Sequence, residues 1–254
     1  MRRAPEPKET PRLPKLVLFD MDDTIFDHSL TCREALRQLR REHGAIRGRS
    51  LMETWREYGR LLGTTHTDVM LGRRPSDEVR AERFQRLAAW SGHPIEPEVA
   101  ARISLMYRRH YQRLRRPVPG APDAVRRLEG RTRLGIVTNN TVAEQVEKLA
   151  FLGLDRTVEF LVTSEEVGVA KPDPAIFRAA LDRAGATPEE TVMVGDSWET
   201  DVAGARAVGI RAIWFNRFRA PAPIPLGVSE FTTFRVPRRL ERLLAAPEKT
   251  PADS

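Results

Sequence analysis

Cysteine is almost missing from this chain of 254 residues. Cys32 stands alone, so no internal disulfide can form, and no Cys/His spacing suggests zinc. Lysine is scarce as well: of 42 basic residues, five are lysine (8, 15, 148, 171 and 249) and 37 are arginine. A lysine is therefore notable wherever arginine is the default choice. No apolar run approaches the roughly 18 residues that a bilayer-spanning helix needs. Met1-Arg2-Arg3 leads into proline and charge rather than into a secretory apolar region. The five histidines (28, 43, 66, 93 and 110) are scattered, and no internal repeat is visible. Together these absences lead us to expect a soluble, cytoplasmic protein with no membrane partner.

The 41% hydrophobic content is ordinary for a folded protein, and the length allows one large domain or two smaller ones. The net charge of +7 favours nucleic acid, but it equally steers a phosphorylated substrate. Charge alone does not separate the two.

Residues 1–15 are rich in proline and charge, and we expect a flexible basic tail. Leu16-Val17-Leu18-Phe19 then reads as a short buried strand that runs into Asp20-Met21-Asp22-Asp23-Thr24. Side chains repeat every two residues in an extended chain, so Asp20 and Asp22 point the same way. Crowded carboxylates repel one another, and a divalent cation with hard oxygen ligands, Mg²⁺ for instance, would relieve them. An Asp-rich turn is the plainer reading, and this stretch alone leaves both open.

From about Thr31 to Arg116 the pattern is helical, in four or so segments. Val99, Ile103, Met106, Tyr107 and Leu114 form one stripe behind Pro97, and Val79, Phe84, Leu87 and Trp90 form another behind Ser76, a candidate cap. After Pro117-Val118-Pro119-Gly120, helices alternate with short apolar strands to about residue 216. Strands are expected at 133–137, 160–162, 191–194 and 211–215. Helices are expected near 121–129, after Thr141 (with Glu144, a capping box), from Asp173-Pro174 to Gly185, and over 201–208. A short strand near 229–234 and a basic helix near 237–245 follow. Such alternation predicts an α/β fold, a doubly wound parallel sheet. The helical block at 31–116 is expected as an inserted cap domain, with hinges near 28–31 and 115–119. The core domain is then 16–30 with 117–254.

Ligands bind beyond the carboxyl ends of parallel strands. The first strand ends at Asp20 and Asp22, the second at Thr138-Asn139-Asn140. The third leads to Lys171-Pro172-Asp173-Pro174, and the fourth ends at Gly195-Asp196-Ser197, with Asp201 beyond. Each alone could be a cap, a turn or a solvated charge. All four on one edge point to a site.

In these residues the chain resembles the haloacid dehalogenase superfamily, over roughly 16–30 and 118–216, in the subclass with a helical cap. Its four motifs match Asp20-Met21-Asp22-Asp23-Thr24, Thr138, Lys171, and Gly195-Asp196 with Asp201. The run Ser164-Glu165-Glu166-Val167-Gly168-Val169-Ala170-Lys171-Pro172 is most similar to the pyrimidine 5'-nucleotidase and N-acylneuraminate-9-phosphatase branch. Asp23 and Asn140 stand where the family usually has glycine.

The resemblance and the chemistry together imply a Rossmann-like core and a phosphatase for a small phosphorylated substrate, a nucleotide or sugar phosphate, through an aspartyl-phosphate. Asp20 would be the nucleophile and Asp22 the general acid and base. Thr138, Asn139 (by its backbone N–H) and Lys171 would bind the transferring phosphoryl. The metal ligands would be Asp20, Asp196 and Asp22, the last by its backbone carbonyl, and Asp201 would orient Lys171 or a metal-bound water. The alternatives are a phosphomutase, or a 2-haloacid dehalogenase, whose members lack the carboxylate matching Asp22. A receiver domain fits poorly, since no Asp follows Phe160-Leu161-Val162 directly. Nucleic-acid binding by Tyr107-Arg108-Arg109-His110-Tyr111 and the basic residues after it is disfavoured against a solvated helix face. Trp55, Trp90, His66, Arg73 and Cys32 are read as packing or surface residues, and Trp198 as a candidate shaper of the site's mouth.

Overall fold

The computed structural model describes residues 13–223, 227–236 and 238–246, and every structural statement refers to those. The expected basic tail lies outside them up to residue 12. Its last three residues belong to the fold: Leu13 packs on the core, Thr132 Oγ1 donates to the Pro14 carbonyl at 2.6 Å, and Lys15 pairs with Glu190.

The chain opens with β1 (Leu16–Phe19) and then runs through α1 (His28–Glu42), α2 (Leu51–Thr65), α3 (Thr67–Met70), α4 (Ser76–Trp90) and α5 (Pro97–Arg113). There follow α6 (Ala121–Arg126), β2 (Arg133–Thr138), α7 (Val142–Leu152), β3 (Phe160–Thr163), α8 (Ser164–Val167) and α9 (Pro174–Ala184). Next come β4 (Thr191–Gly195), α10 (Gly204–Arg206), β5 (Arg211–Phe215), β6 (Ser229–Phe231) and α11 (Arg239–Ala245). No helix among the described residues is long and apolar enough to cross a membrane.

All six strands are parallel, in the order β3-β2-β1-β4-β5-β6. Both sheet faces are covered, as the two-residue alternation dictates. Val17, Phe19, Leu134 and Ile136 pack with Val125, Leu149 and Leu240, while Leu16, Leu18 and Met193 pack with Ile176, Phe177 and Ala180 on the other face. The expected α/β fold is what the chain adopts. The strand order reverses between β1 and β4, which places the end of β1 at the switch point where such sheets bind ligands.

Several local expectations need correction. Ser76 is the first helical residue of α4 rather than its cap, because Pro75 supplies the extended residue and Ser76 Oγ accepts from Arg80 at 2.6 Å. The capping box before α7 is half formed: Thr141 Oγ1 accepts from the Glu144 N–H, but the Glu144 carboxylate turns to Lys148. Residues 198–203 form a wide π-helical turn, in which the N–H groups of Asp201 and Val202 both donate to the Ser197 carbonyl. The strand expected at 229–234 stops at Phe231, and residue 237 of the last expected helix lies outside the described residues.

Between β1 and β2 the helices enclose an aromatic nucleus. The rings of Tyr58, Phe84 and Tyr107 stand 5.1–5.6 Å apart. The tyrosines of the basic run thus face inward, while Arg108 and Arg115 pair with Glu147.

Candidate active site

At the switch point β1 delivers Asp20, whose N–H donates to the Val194 carbonyl of β4 at 2.9 Å. Its carboxylate meets Lys171. The Lys171 ammonium spends its three protons on Asp20 Oδ1 at 2.7 Å, Asp201 Oδ1 at 2.6 Å and the Val137 carbonyl at 2.8 Å. Asn139 fixes the lysine backbone, with Nδ2 donating to the Lys171 carbonyl at 2.9 Å and Oδ1 accepting from its N–H at 2.7 Å. The Lys171–Pro172 peptide is cis. The Thr138 hydroxyl, buried at the end of β2, has no hydrogen-bond partner among the described residues.

Asp201 reaches Lys171 from the wide turn after β4, and the Ser197 N–H donates to its Oδ2 at 3.0 Å. Gly195 makes room for it, since a Cβ there would lie 2.3 Å from Asp201 Oδ2. Asp196 accepts from Thr24 Oγ1 at 3.1 Å. Trp198 lies edge-on to Trp214.

Asp20, Asp196 and Asp201 each offer an oxygen within 4.8 Å of the others. Burial raises the Asp20 carboxyl to about 7; Lys171 opposes this, while Asp201 and Asp22 reinforce it. Burial, then Asp20 and Asp201, push Asp196 up to about 9. Carboxylates so placed cannot all ionise together without more positive charge than Lys171 brings. An oxygen-only, acidic donor set of this kind fits a hard divalent cation.

Asp22 is placed differently from its neighbours in sequence. Its carboxylate takes no part in that cluster; it accepts from Lys148 Nζ at 2.7 and 2.8 Å and from Gln145 Nε2 at 3.0 Å, with His28 Nδ1 at 3.8 Å. Burial would raise its carboxyl, but Lys148, His28 and Gln145 hold it below the usual carboxylate range. Only its backbone carbonyl is left for the metal role expected of it. Lys148, buried on α7, also pairs with Glu144 at 2.9 Å. This second centre went unforeseen, although the rarity of lysine and the i,i+4 spacing of Glu144 and Lys148 were signals for it.

A cavity of about 210 Å³ opens beside Asp22 and Asn139, and the helices between β1 and β2 line it with His28, Tyr58, His66 and Arg83. His66 and Cys32, read from sequence as bland, both border this space.

Comparison with known proteins identifies the family. The model of a haloacid dehalogenase-like hydrolase matches residues 14–209, and the chain belongs to that family. It is 33% identical over 234 residues to the phosphoserine phosphatase of Thermus thermophilus, covering 82% of this chain and 90% of that one. Over 129 residues it is 38% identical to the pyrimidine 5'-nucleotidase YjjG of Escherichia coli, covering 50% and 56%. Among solved structures, the putative hydrolase YfnB of Bacillus subtilis, bound to magnesium, aligns with a TM-score of 0.74 at 25% identity. That alignment covers 92% of this chain and 100% of the other.

Proposed function

We propose that this hydrolase is a Mg²⁺-dependent phosphatase that cleaves a small phosphate monoester, a nucleotide or sugar phosphate, through an aspartyl-phosphate on Asp20. The observation that carries this reading is Lys171, which bridges Asp20 and Asp201 at 2.7 and 2.6 Å beside the Asp196 carboxylate. Named phosphatases among the relatives and magnesium in YfnB support it.

A carboxylate that approaches a phosphate dianion is repelled, by about 4 kcal/mol per charge pair at 4 Å and an effective dielectric constant of 20. A divalent cation held by Asp20, Asp196 and the Asp22 carbonyl would supply the positive charge that offsets this repulsion. Lys171 holds Asp20 in one orientation and keeps it short of full protonation. One Asp20 oxygen attacks phosphorus as the bond to the leaving alcohol breaks. The Thr138 hydroxyl and the Asn139 N–H receive the transferring oxygens. Lys171 joins them only by exchanging one of its three protein bonds.

Asp22, held ionised, has the form required of the base that takes a proton from water and so frees phosphate. To protonate the alcohol in the first step it must exchange Lys148 for a proton.

The test is phosphate release from nucleotides, deoxynucleotides and sugar phosphates, in Mg²⁺ and in EDTA, by the wild type and Asp20→Asn. Turnover that needs metal and falls at least about 10⁴-fold in Asp20→Asn is expected. Release that survives in Asp20→Asn removes Asp20 as nucleophile. Turnover of a 2-haloacid with none of any ester would replace the phosphatase reading with carbon–halogen hydrolysis.

A further inference from the structure

The cavity holds a cation that no carboxylate among the described residues answers. Arg83, on α4, is 4% exposed and forms no ion pair among the described residues. Its Nε donates to Thr65 Oγ1 at 3.2 Å and its Nη1 to the Tyr58 hydroxyl at 3.1 Å, and both partners are neutral. Its guanidinium carbon stands 5.3 Å from the centroid of the Tyr58 ring. Nη2 has no hydrogen-bond partner among the described residues.

Arg80 gives the contrast. It borders the same cavity one turn earlier, but it is satisfied by Asp77 and Ser76, each at 2.6 Å. The two acids on the cavity wall, Asp22 and Glu144, both belong to Lys148. His66, on the same wall, brings no negative charge, and burial followed by the charge of Arg83 lowers it to about 4. A buried guanidinium without a counter-charge is costly to keep, and removing it from a cap would cost the fold little by way of lost ion pairs. The unspent Nη2, with the second proton of Nη1, leaves a forked donor edge that matches a carboxylate or phosphoryl group.

We propose that Arg83 receives a second anionic group, a carboxylate or a phosphoryl, carried on the leaving alcohol of the substrate; this rests on the phosphatase reading of the Asp20 site. The nucleoside of a simple nucleotide or the body of an unmodified sugar leaves Arg83 unmatched. The substrate class therefore narrows to monoesters whose alcohol is itself an acid or a second phosphate ester.

The test uses three non-hydrolysable probes in Mg²⁺: 3-phosphonopropionate, ethylene-1,2-bisphosphonate and the uncharged-tail propylphosphonate, titrated calorimetrically. The wild type should bind one acidic probe at least about 30-fold more tightly than propylphosphonate, the size of one charge-assisted forked contact. The tighter of the two acidic probes tells carboxylate from phosphoryl. In Arg83→Gln this preference should fall to about threefold or less, and in Arg83→Lys, which keeps charge without the fork, it should be intermediate. Equal binding of all three probes by the wild type overturns the inference without recourse to any variant, and so does a preference that survives in folded Arg83→Gln. A phosphate-release assay run beside it keeps the two readings apart. Release from uncharged esters with no acidic preference strikes this inference alone, whereas no release from any ester strikes the phosphatase reading while the binding ratio still decides on Arg83.

Discussion

Two buried lysines divide the work of this site, and they do it unequally. Lys171 joins Asp20 to Asp201, and Lys148 joins Asp22 to Glu144; both lysine side chains are 2% exposed. The acids differ. Those of the Lys171 centre are 9% and 1% exposed, whereas Asp22 and Glu144 are 24% and 20% exposed and border the cavity. Lys171 also bonds a strand carbonyl, while Lys148 stands on a helix. In consequence, two carboxylates two residues apart are driven in opposite directions, Asp20 up to about 7 and Asp22 below its usual range. Divergent environments of this kind let neighbouring acids take different chemical parts. The sealed centre fixes one acid in place, and the open one leaves its acid free to exchange partners.

The harshest test of that contrast is Lys171→Met. It leaves Asp20 and Asp201 facing each other without a cation, and we expect a loss of about 3–5 kcal/mol in stability. Turnover should fall at least about 10³-fold, read by denaturant melts and phosphate release. Lys148→Met should be milder, because water reaches the acids it abandons: about 1–2 kcal/mol and about 10- to 100-fold in kcat. It should also move the acidic limb of the pH–rate profile upward, since Lys148 is the largest influence that lowers Asp22. Equal stability losses in the two variants would erase the distinction between the centres.

Much of the sealed centre was legible in sequence and little of the open one. Asp20, Thr138, Lys171 and Asp196 each stand directly beyond or close after an apolar strand, and a parallel sheet brings such positions to one edge. The caps at Asp173 and Gly185 were equally readable, because they are local. Glu144 misled because its spacing from Thr141 suits a capping box, whereas its charge is better matched by Lys148 one turn on. The wide turn at 198–203 has no sequence signature, and it comes with Asp201 tied at once to Lys171 and to the Ser197 N–H. Arg83 was invisible in principle: among 37 arginines, only coordinates tell which has found no acid.

A divalent cation would sharpen the contrast more gently. Without it, folded Asp20 and Asp196 bind protons up to about 7 and about 9 that the unfolded chain releases near the ordinary carboxylate value of 3.8. The folded state therefore holds more protons in that window, and the metal-free protein should lose stability as pH rises from about 4 to about 9. A cation would displace those protons. The rise in Tm on adding Mg²⁺ should be larger at about pH 8.5 than at about pH 6. An equal rise at both would mean that these carboxylates do not hold the ion.

The smallest effect falls on the residue that stands next to Asp22. Asp23 has φ 63°, the left-handed region where the family usually has glycine, and its carboxylate accepts from the Ser29 N–H at 2.8 Å and the Ser29 Oγ at 2.6 Å. The side chain thus ties the loop after β1 to the first turn of α1, at the expected hinge. Asp23→Gly relieves the backbone but releases Ser29, two opposing terms that should leave a loss of no more than about 1 kcal/mol. Asp23→Ala keeps the backbone strain and also releases Ser29, so it should cost more, about 1–2 kcal/mol. Neither variant touches Lys171 or Lys148, so kcat should change less than in either lysine variant, and KM more than kcat if the helices close over substrate. Should Asp23→Gly melt below Asp23→Ala, the left-handed backbone would cost alanine less than glycine's extra freedom in the unfolded chain, and no strain worth relieving would be stored at this hinge.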